Sequence, residues 1–370
     1  MEIVHVVLGK VNTHKMNGVN KVVDNLAKNQ IELGHQVTIW GITKNPDNDY
    51  SERIYDTKLF LNSTKFLVPK GMIKAIKTVA PGTVFHVHGG FIPQFFLITI
   101  FLRIYGFSYV FTSHGSYNSV AMERSYWKKM LYVWFFDSAI VSHAKSMHFI
   151  GESEIEGAKE LFDFSNYELI PNGQSFDDHL LPPKRNLDRF TVFGFCGRLD
   201  IKTKGLDLLF KGFAQYVQET QNDQVELWII GDGEERVVLE KIAIKLGIAD
   251  QVRFWGSVFG ERKRELIRKF DFMVLTSRNE GLPGVVLEAA ALGVPSIVSQ
   301  ETNMAAYLLK YHAGLALAEN DPKNIQASLK FATQSRLNKR IQSFKLGAMN
   351  MVAKEFDWKS IASRVSQLYV

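Results

Sequence analysis

From Ile3 to Leu8 nearly every side chain is apolar, the pattern of a strand covered on both faces. A glycine-containing loop follows, and the apolar positions then stretch to a helical spacing. Val19, Val22, Val23, Leu26 and Ile31 lie within the stretch Gly18 to Leu33. Gly34 stops that helix, and His35 to Trp40 returns to a largely apolar run. Strand, helix and strand on short connections predict a right-handed βαβ unit with parallel strands. Further strands are predicted at Thr83–Val87, Tyr109–Thr112 and Ser138–Val141.

The pattern breaks near Ile170-Pro171-Asn172-Gly173, with Asp177-Asp178 and Pro182-Pro183 beyond it. The alternation then restarts. Strands are predicted at Phe190–Cys196, Glu226–Ile230, Val252–Trp255, Phe272–Leu275 and Ser296–Val298. Helices are predicted between them at Leu206–Thr220, Arg236–Leu246, Glu261–Phe270 and Val285–Leu292. A chain of 370 residues is too long for one ordinary core. The expected fold class is α/β, with two Rossmann-like doubly wound domains, residues 1–178 and 179–351. Ligands bind outside the carboxyl ends of such strands, so the two sheets are expected to face one another across a cleft. No repeat of 20–50 residues and no low-complexity tract is visible.

Composition narrows the class. Hydrophobic residues make up 46% and charged residues 22%, which excludes wholesale disorder. The one cysteine, Cys196, excludes a disulfide framework or a zinc site built on cysteine pairs, and its apolar strand suggests an inert core thiol. The amino-terminal residues lack a basic region and a cleavage pattern, and no apolar run reaches 18 residues. A soluble protein of a reducing, cytoplasmic compartment is expected, with the sequon Asn62-Ser63-Thr64 left unmodified. The net charge of +6 falls wholly after residue 178, where 27 basic residues meet 21 acidic ones. That suggests an anionic partner. The run Arg262, Lys263, Arg264, Arg268, Lys269 sits on a helix-like segment and reads as a solvated face. No nucleic-acid-binding signature accompanies it, so no nucleic-acid partner is expected.

The chemistry lies at strand ends. The loop after the first strand has neither G-x-G-x-x-G nor a Walker A pattern. Gly18, opening a helix, can bring backbone N–H groups to a phosphate or can be a plain turn glycine. In the second half, Phe195-Cys196-Gly197-Arg198 ends a strand and Lys204-Gly205 opens the next helix. That Arg and Lys can clamp a diphosphate or can be surface residues. The segment Arg278-Asn279-Glu280-Gly281-Leu282-Pro283-Gly284 runs into a helix that carries Glu288. Amides from Gly281 to Gly284 with the helix dipole make an anion seat. Glu280 and Glu288 lie too far apart to act on one bond, but they can hold two ends of an elongated ligand. A buried structural Glu288 is the alternative.

Glu280 and Glu288, with seven residues between them, resemble the E-x7-E motif of retaining GT-B glycosyltransferases, specifically glycosyltransferase family 4. Met16-Asn17-Gly18-Val19 is similar to the family's first glycine loop, and Gly34-His35-Gln36-Val37 to its GHxV turn. Thr112-Ser113-His114-Gly115 and Pro171-Asn172-Gly173 resemble its HG strand end and PNG hinge. Gly197-Arg198 to Lys204-Gly205 resembles its basic clamp, while Gly231-Asp232-Gly233 and Gly293-Val294-Pro295 also match. Phe356-Asp357-Trp358 resembles the start of the last helix, which would return residues 352–370 to the first domain. The resemblance covers nearly the whole chain. It departs at Gln174-Ser175 after the hinge, at Asn17 in place of a glycine, and at Glu301-Thr302-Asn303.

The resemblance implies a hexosyltransferase that uses a nucleotide sugar, UDP-glucose or a related UDP-sugar first. The acceptor would be a glycan or a lipid-linked sugar, in polysaccharide biosynthesis, without metal or cofactor and with retention of configuration. Arg198 and Lys204 would neutralise the diphosphate, beside Gly197. Glu288 would bind the ribose, and Glu280 with the amides of Gly281 and Leu282 the transferred sugar, before Pro283 and Gly284. His114 would lie near the anomeric carbon, and Asn17 and Gly18 near the distal phosphate. The base would lie near Gly256-Ser257-Val258. A nucleotide-sugar epimerase and a non-catalytic nucleotide-sugar-binding subunit remain alternatives on the same fold.

Other features point elsewhere. Asp47-Asn48-Asp49 matches a D-x-D metal motif but sits in turn chemistry after Asn45-Pro46. His86 and His88 alternate on one strand without a third ligand at useful spacing, so core or cleft-wall histidines are expected. Residues 57–122 hold no Asp or Glu but include Lys58, Lys65, Lys70, Lys74, Lys77 and Arg103, with an apolar run from Phe95 to Leu102. That stretch can face an anionic membrane surface peripherally, or the run can be a core helix.

Overall fold

The structure is a computed structural model that describes residues 1–11, 18–47, 53–62, 64, 66–123, 125–175, 190–221 and 223–370. The chain divides into two compact units, Met1–Gly173 with Trp358–Val370, and Gln174–Asp357.

The first unit holds seven strands: β1 (Glu2–Leu8), β2 (Gln36–Thr43), β3 (Asp56–Leu61), β4 (Val84–His88), β5 (Tyr109–Thr112), β6 (Ser146–Phe149) and β7 (Tyr167–Leu169). Their order across the sheet is β3-β2-β1-β4-β5-β6-β7, and every pairing is parallel. Strand order reverses between β1 and β4, the kind of position at which the loops of an open α/β sheet diverge. One face packs Trp40, Phe85, Phe95, Phe111 and Phe149 into a core. On the other, Ile3, Val7, Val84 and Val110 meet the helices Gly18–Glu32 and Trp358–Gln367.

The second unit holds six parallel strands: β8 (Thr191–Cys196), β9 (Val225–Ile230), β10 (Val252–Gly256), β11 (Phe272–Leu275), β12 (Ser296–Val298) and β13 (Gly314–Ala316). Their order is β10-β9-β8-β11-β12-β13, so the reversal falls between β8 and β11. Two parallel α/β sheets are thus the observed architecture, as the alternation of elements implies.

Two expectations change and one alternative is decided. Ser138–Val141 is helix rather than strand: the turns from Tyr126 continue through a wider π-turn at Val133–Asp137 into Ser138–Ser142. The Ser138 hydroxyl donates to the Val133 carbonyl at 2.9 Å and supports that continuation. The apolar run Phe95–Leu102 belongs to the helix Pro93–Ile104, which turns Phe95, Ile98 and Leu102 into the core. Residues 352–357 stay with the second unit, because Val352 and Phe356 are fully buried in its core. The chain returns at Trp358, whose ring packs so closely on Gly173 that a Cβ there would come within 2.4 Å of it.

Candidate functional site

In the second unit the expected residues gather around the reversal between β8 and β11. Buried Leu199 anchors the loop after β8, and the Asp200 carboxylate caps the short helix Ile201–Lys204 by accepting from the Thr203 amide at 2.8 Å. Burial works against the Asp200 anion, but the Thr203 donors and nearby Arg198 and Lys204 hold its pKa below the ordinary value. Arg198 reaches outward, its side chain 72% exposed and 3.3 Å from Asp200. Gly205 ends the helix with φ +62°, and a Cβ there would lie 2.0 Å from the Thr276 carbonyl oxygen. Only glycine lets the two loops approach this closely.

That contact sets Lys204 against Glu280. The Lys204 ammonium donates to the Glu280 carboxylate, which also accepts from the Ser277 hydroxyl at 2.9 Å. The Glu280 backbone is fixed as well. Its amide donates to the Glu301 carbonyl at 3.0 Å, and the Asn303 side chain donates to the Glu280 and Gly281 carbonyls at 2.7 and 2.8 Å. Arg278, not assigned a role from sequence, joins the loops: its guanidinium forks onto Asp207 at 2.9 Å twice and reaches the Lys202 carbonyl at 2.9 Å. Asn303, within the segment that departs from the family pattern, thus supplies two of the contacts that hold this loop.

Glu288 has a separate cation. Its carboxylate accepts from Lys263, and both side chains are 23% exposed. Burial opposes the Lys263 ammonium, but the neighbouring Cys196 and Glu288 outweigh it and hold the amine above its ordinary pKa. Burial pushes the Cys196 thiol up to about 11. Within the same basic run Arg262 pairs with Glu265 and Arg268 with Glu261, each at 2.9 Å. Val258 follows β10, where Gly256 turns with φ +68°, and packs against the core cluster that holds Cys196. Gly281 to Pro283 lead into the helix Gly284–Ala291, at whose start no side chain caps the first amides. The Val286 amide there donates to the Pro283 carbonyl at 3.0 Å, and a helix start without a side-chain cap suits an anion.

In the first unit His114 follows β5 with φ +54°, a strained conformation for a residue with a Cβ. Buried Glu154 holds the turn from both sides: its carboxylate accepts from the Ser113 hydroxyl at 2.6 Å and from the Gly115 amide. The ring of His114 joins a buried cluster. His88 Nδ1 lies 3.0 Å from His114 Nε2, and His88 Nε2 lies 2.9 Å from His5 Nδ1. His5 supplies the third histidine missing from the sequence pattern, since β1 pairs with β4 and sets His5 opposite His86. One nitrogen from each of His5, His86 and His88 falls within 4.8 Å of the others. All six ring nitrogens of these three are already engaged, with Gln30, Tyr369, Thr112, His114 or one another. A metal would have to displace those bonds. Gly18 begins the helix Gly18–Glu32; Asn17 lies outside the described residues, as does Asp49 of the D-x-D match.

Comparison with known proteins follows this division. Residues 180–345 match the family described as glycosyl transferases group 1, and residues 16–176 match Glycosyltransferase Family 4. EpsF of Bacillus subtilis (strain 168), which carries a glycosyltransferase name, is 30% identical over 66% of this chain; the match spans 62% of its own length. A lipopolysaccharide core biosynthesis glycosyltransferase of Rhizobium meliloti, LpsD, is 36% identical over 30% of this chain and 30% of its own length. Among solved structures, sucrose-phosphate synthase from Thermosynechococcus elongatus superposes with a TM-score of 0.78 at 19% identity, covering 100% of this chain and 98% of that one. HepE of Anabaena, in complex with UDP-glucose, gives 0.71 at 16% identity over 99% and 98%. With each half matched by its own family and the whole fold shared with such structures, the chain belongs to the GT-B glycosyltransferases of family 4, group 1.

Proposed function

We propose that the protein is a metal-independent hexosyltransferase that moves a sugar from a nucleotide donor, UDP-glucose or a related UDP-sugar, to a glycan or lipid-linked acceptor with retention of configuration. The observation that carries this reading is the meeting of Lys204 with Glu280 at the strand-order reversal, with the exposed Arg198 guanidinium close by in sequence. Family membership and the UDP-glucose bound to HepE support it.

In this reading Arg198 and Lys204 receive the diphosphate, Arg198 as a fork and Lys204 as a compact charge. Glu280 and the amides of Gly281 and Leu282 hold hydroxyls of the sugar, and Glu288 holds the ribose. Gly18 donates its amide to the distal phosphate, and His114 contacts the sugar. The bond from the anomeric carbon to the diphosphate oxygen breaks as the acceptor oxygen bonds to that carbon on the same face. The acceptor's proton passes to the departing phosphate. Catalysis is then positioning and charge stabilisation of an oxocarbenium-like state.

Polysaccharide assembly at the cytoplasmic membrane face is the proposed setting. No helix among the described residues is long and apolar enough to cross a membrane. An exposed stripe of Trp127, Leu131, Trp134 and Phe135, beside exposed Lys128, supports peripheral contact. The acid-free stretch from residue 57 to 122 lies earlier in the same unit.

The test incubates UDP-, GDP- and ADP-sugars with and without an acceptor panel and follows both sugars. Transfer from a UDP-hexose with an α-linked product from an α-linked donor supports the reading. Alteration of the donor with no acceptor present identifies an epimerase instead, and donor binding without transfer or hydrolysis identifies a binding subunit.

A further inference from the structure

We infer that a buried chain of hydrogen bonds starting at the Ile170 carbonyl fixes the His114 imidazole as the Nε2–H tautomer. Nδ1 is thereby left as an acceptor for a substrate hydroxyl, and Gln30 and Tyr369 are the positioning residues that transmit the choice. The substrate-facing part rests on the proposed glycosyl transfer; the tautomer itself does not.

Donor and acceptor capacity sets each link. A backbone carbonyl can only accept, so His148 Nε2, 2.8 Å from the Ile170 oxygen, carries its proton. His148 Nδ1 is then a lone pair and accepts from the Thr112 hydroxyl at 2.8 Å. Thr112 has spent its one proton, so it accepts from His86 Nε2 at 2.7 Å. His86 Nδ1 therefore accepts from the Tyr369 hydroxyl at 2.7 Å. Tyr369 in turn accepts, and only the amide nitrogen of Gln30, at 3.1 Å, can supply that proton.

This orients the Gln30 amide, and its oxygen faces His5 Nε2 at 2.7 Å. His5 Nε2 thus carries a proton and His5 Nδ1 does not. His88 Nε2 donates to it, and His114 Nε2 donates to His88 Nδ1. Each link is forced by the one before it, provided the rings are neutral. They are: burial drives His5 and His148 to about 4 and His114 to about 3, and holds His86 and His88 well below their ordinary value. Among the described residues no carboxylate is bonded to any of the five rings. Nδ1 of His114 has no hydrogen-bond partner there, and the residue is partly exposed.

The test is a long-range 1H–15N spectrum of the full chain with labelled histidine at pH 7.5, recorded without any nucleotide sugar. His5, His88 and His114 are expected as single Nε2–H tautomers. Gln30→Met removes the amide that sets the direction, and Nδ1–H forms are then expected at all three rings together. Gln30→Lys, which can only donate to His5, is expected to reverse all three. Nδ1–H at any of these rings in the wild type would overturn the inference. So would an unchanged His114 in every variant that still folds. Because no substrate is present, failure here leaves the transfer reading standing. Lack of transfer by a protein with the expected tautomers counts against the transfer reading alone.

Discussion

The Lys204 ammonium is ion-paired with the Glu280 carboxylate across 76 residues of chain, and the two loops are pressed together at Gly205 and Thr276. A diphosphate drawing on Lys204 and a sugar hydroxyl drawing on Glu280 would each compete with that pair. Glu280→Gln keeps the shape and the Ser277 contact but loses the charge. It is expected to lower transfer by about 100-fold or more while UDP affinity changes by about threefold or less. Single-turnover rates and calorimetric titration check this; a wild-type rate means the site lies elsewhere.

Arg198 is mostly exposed, so its bond to Asp200 contributes little to the fold. Arg198→Ala is expected to leave the thermal midpoint unchanged and to weaken UDP binding by roughly tenfold or more, the value of a charged hydrogen bond of about 1.5–3 kcal/mol. Equal affinity of variant and wild type in the same titration excludes Arg198 from the diphosphate.

Gly205→Ala places a methyl group against a backbone oxygen at a left-handed position. A cost of roughly 2 kcal/mol or more is expected, read as a lower midpoint in denaturant with an unchanged slope. Lys204 would also be displaced, so UDP-sugar binding should weaken in the same variant.

The buried histidines make the first unit sensitive to acid. An unfolded histidine takes its proton near pH 6.5, whereas in the fold His5 and His148 wait until about 4 and His114 until about 3. Between those values the unfolded chain binds more protons, so stability falls as pH drops. Each ring contributes up to about 1.4 kcal/mol per pH unit. Burial also raises Asp137, to about 6, and Glu154, and these two act in the opposite sense by taking protons first in the fold. Five rings outweigh two carboxyls. Hydrogen exchange at pH 5 is expected to show loss of protection in β1, β4 and β5 before β8 and β11; equal loss in both units contradicts this.

The exposed stripe on the helical stretch from Tyr126 gives the membrane expectation a definite handle. Replacing both Trp127 and Trp134 with Ser is expected to reduce partitioning onto vesicles containing anionic lipid by about tenfold or more. Wild-type binding should also fall at high salt. Equal partitioning of variant and wild type removes these residues from any lipid contact.

The order of strands and helices was legible because each element carries its own period. The break near Gly173 stood out because Pro, Asn and Gly interrupt that period, while the expected boundary after residue 178 lies beyond the end of the first unit at Gly173. Ser138–Val141 misled because four apolar residues fit a short strand and a helical turn alike, and the turns before it decide the matter. Arg198, Lys204, Glu280 and Glu288 could be proposed as site residues from motif spacing. Their partners could not. Lys263 meets Glu288 only because β8 brings the helix after β10 beside the helix after β11, and His5 meets His88 only through the register of β1 on β4. Such contacts belong to topology, and no local window of residues contains them.

Cys196 ends β8, immediately before Gly197 and Arg198, and is the chain's one thiol. With its sulfur buried and held protonated, a soluble disulfide reagent can react only during moments when that strand opens. The natural sequence therefore carries its own stopwatch for the loop after β8. A nucleotide that settles on Arg198 and Lys204 should slow the clock in proportion to its occupancy, with no label or engineered reporter added.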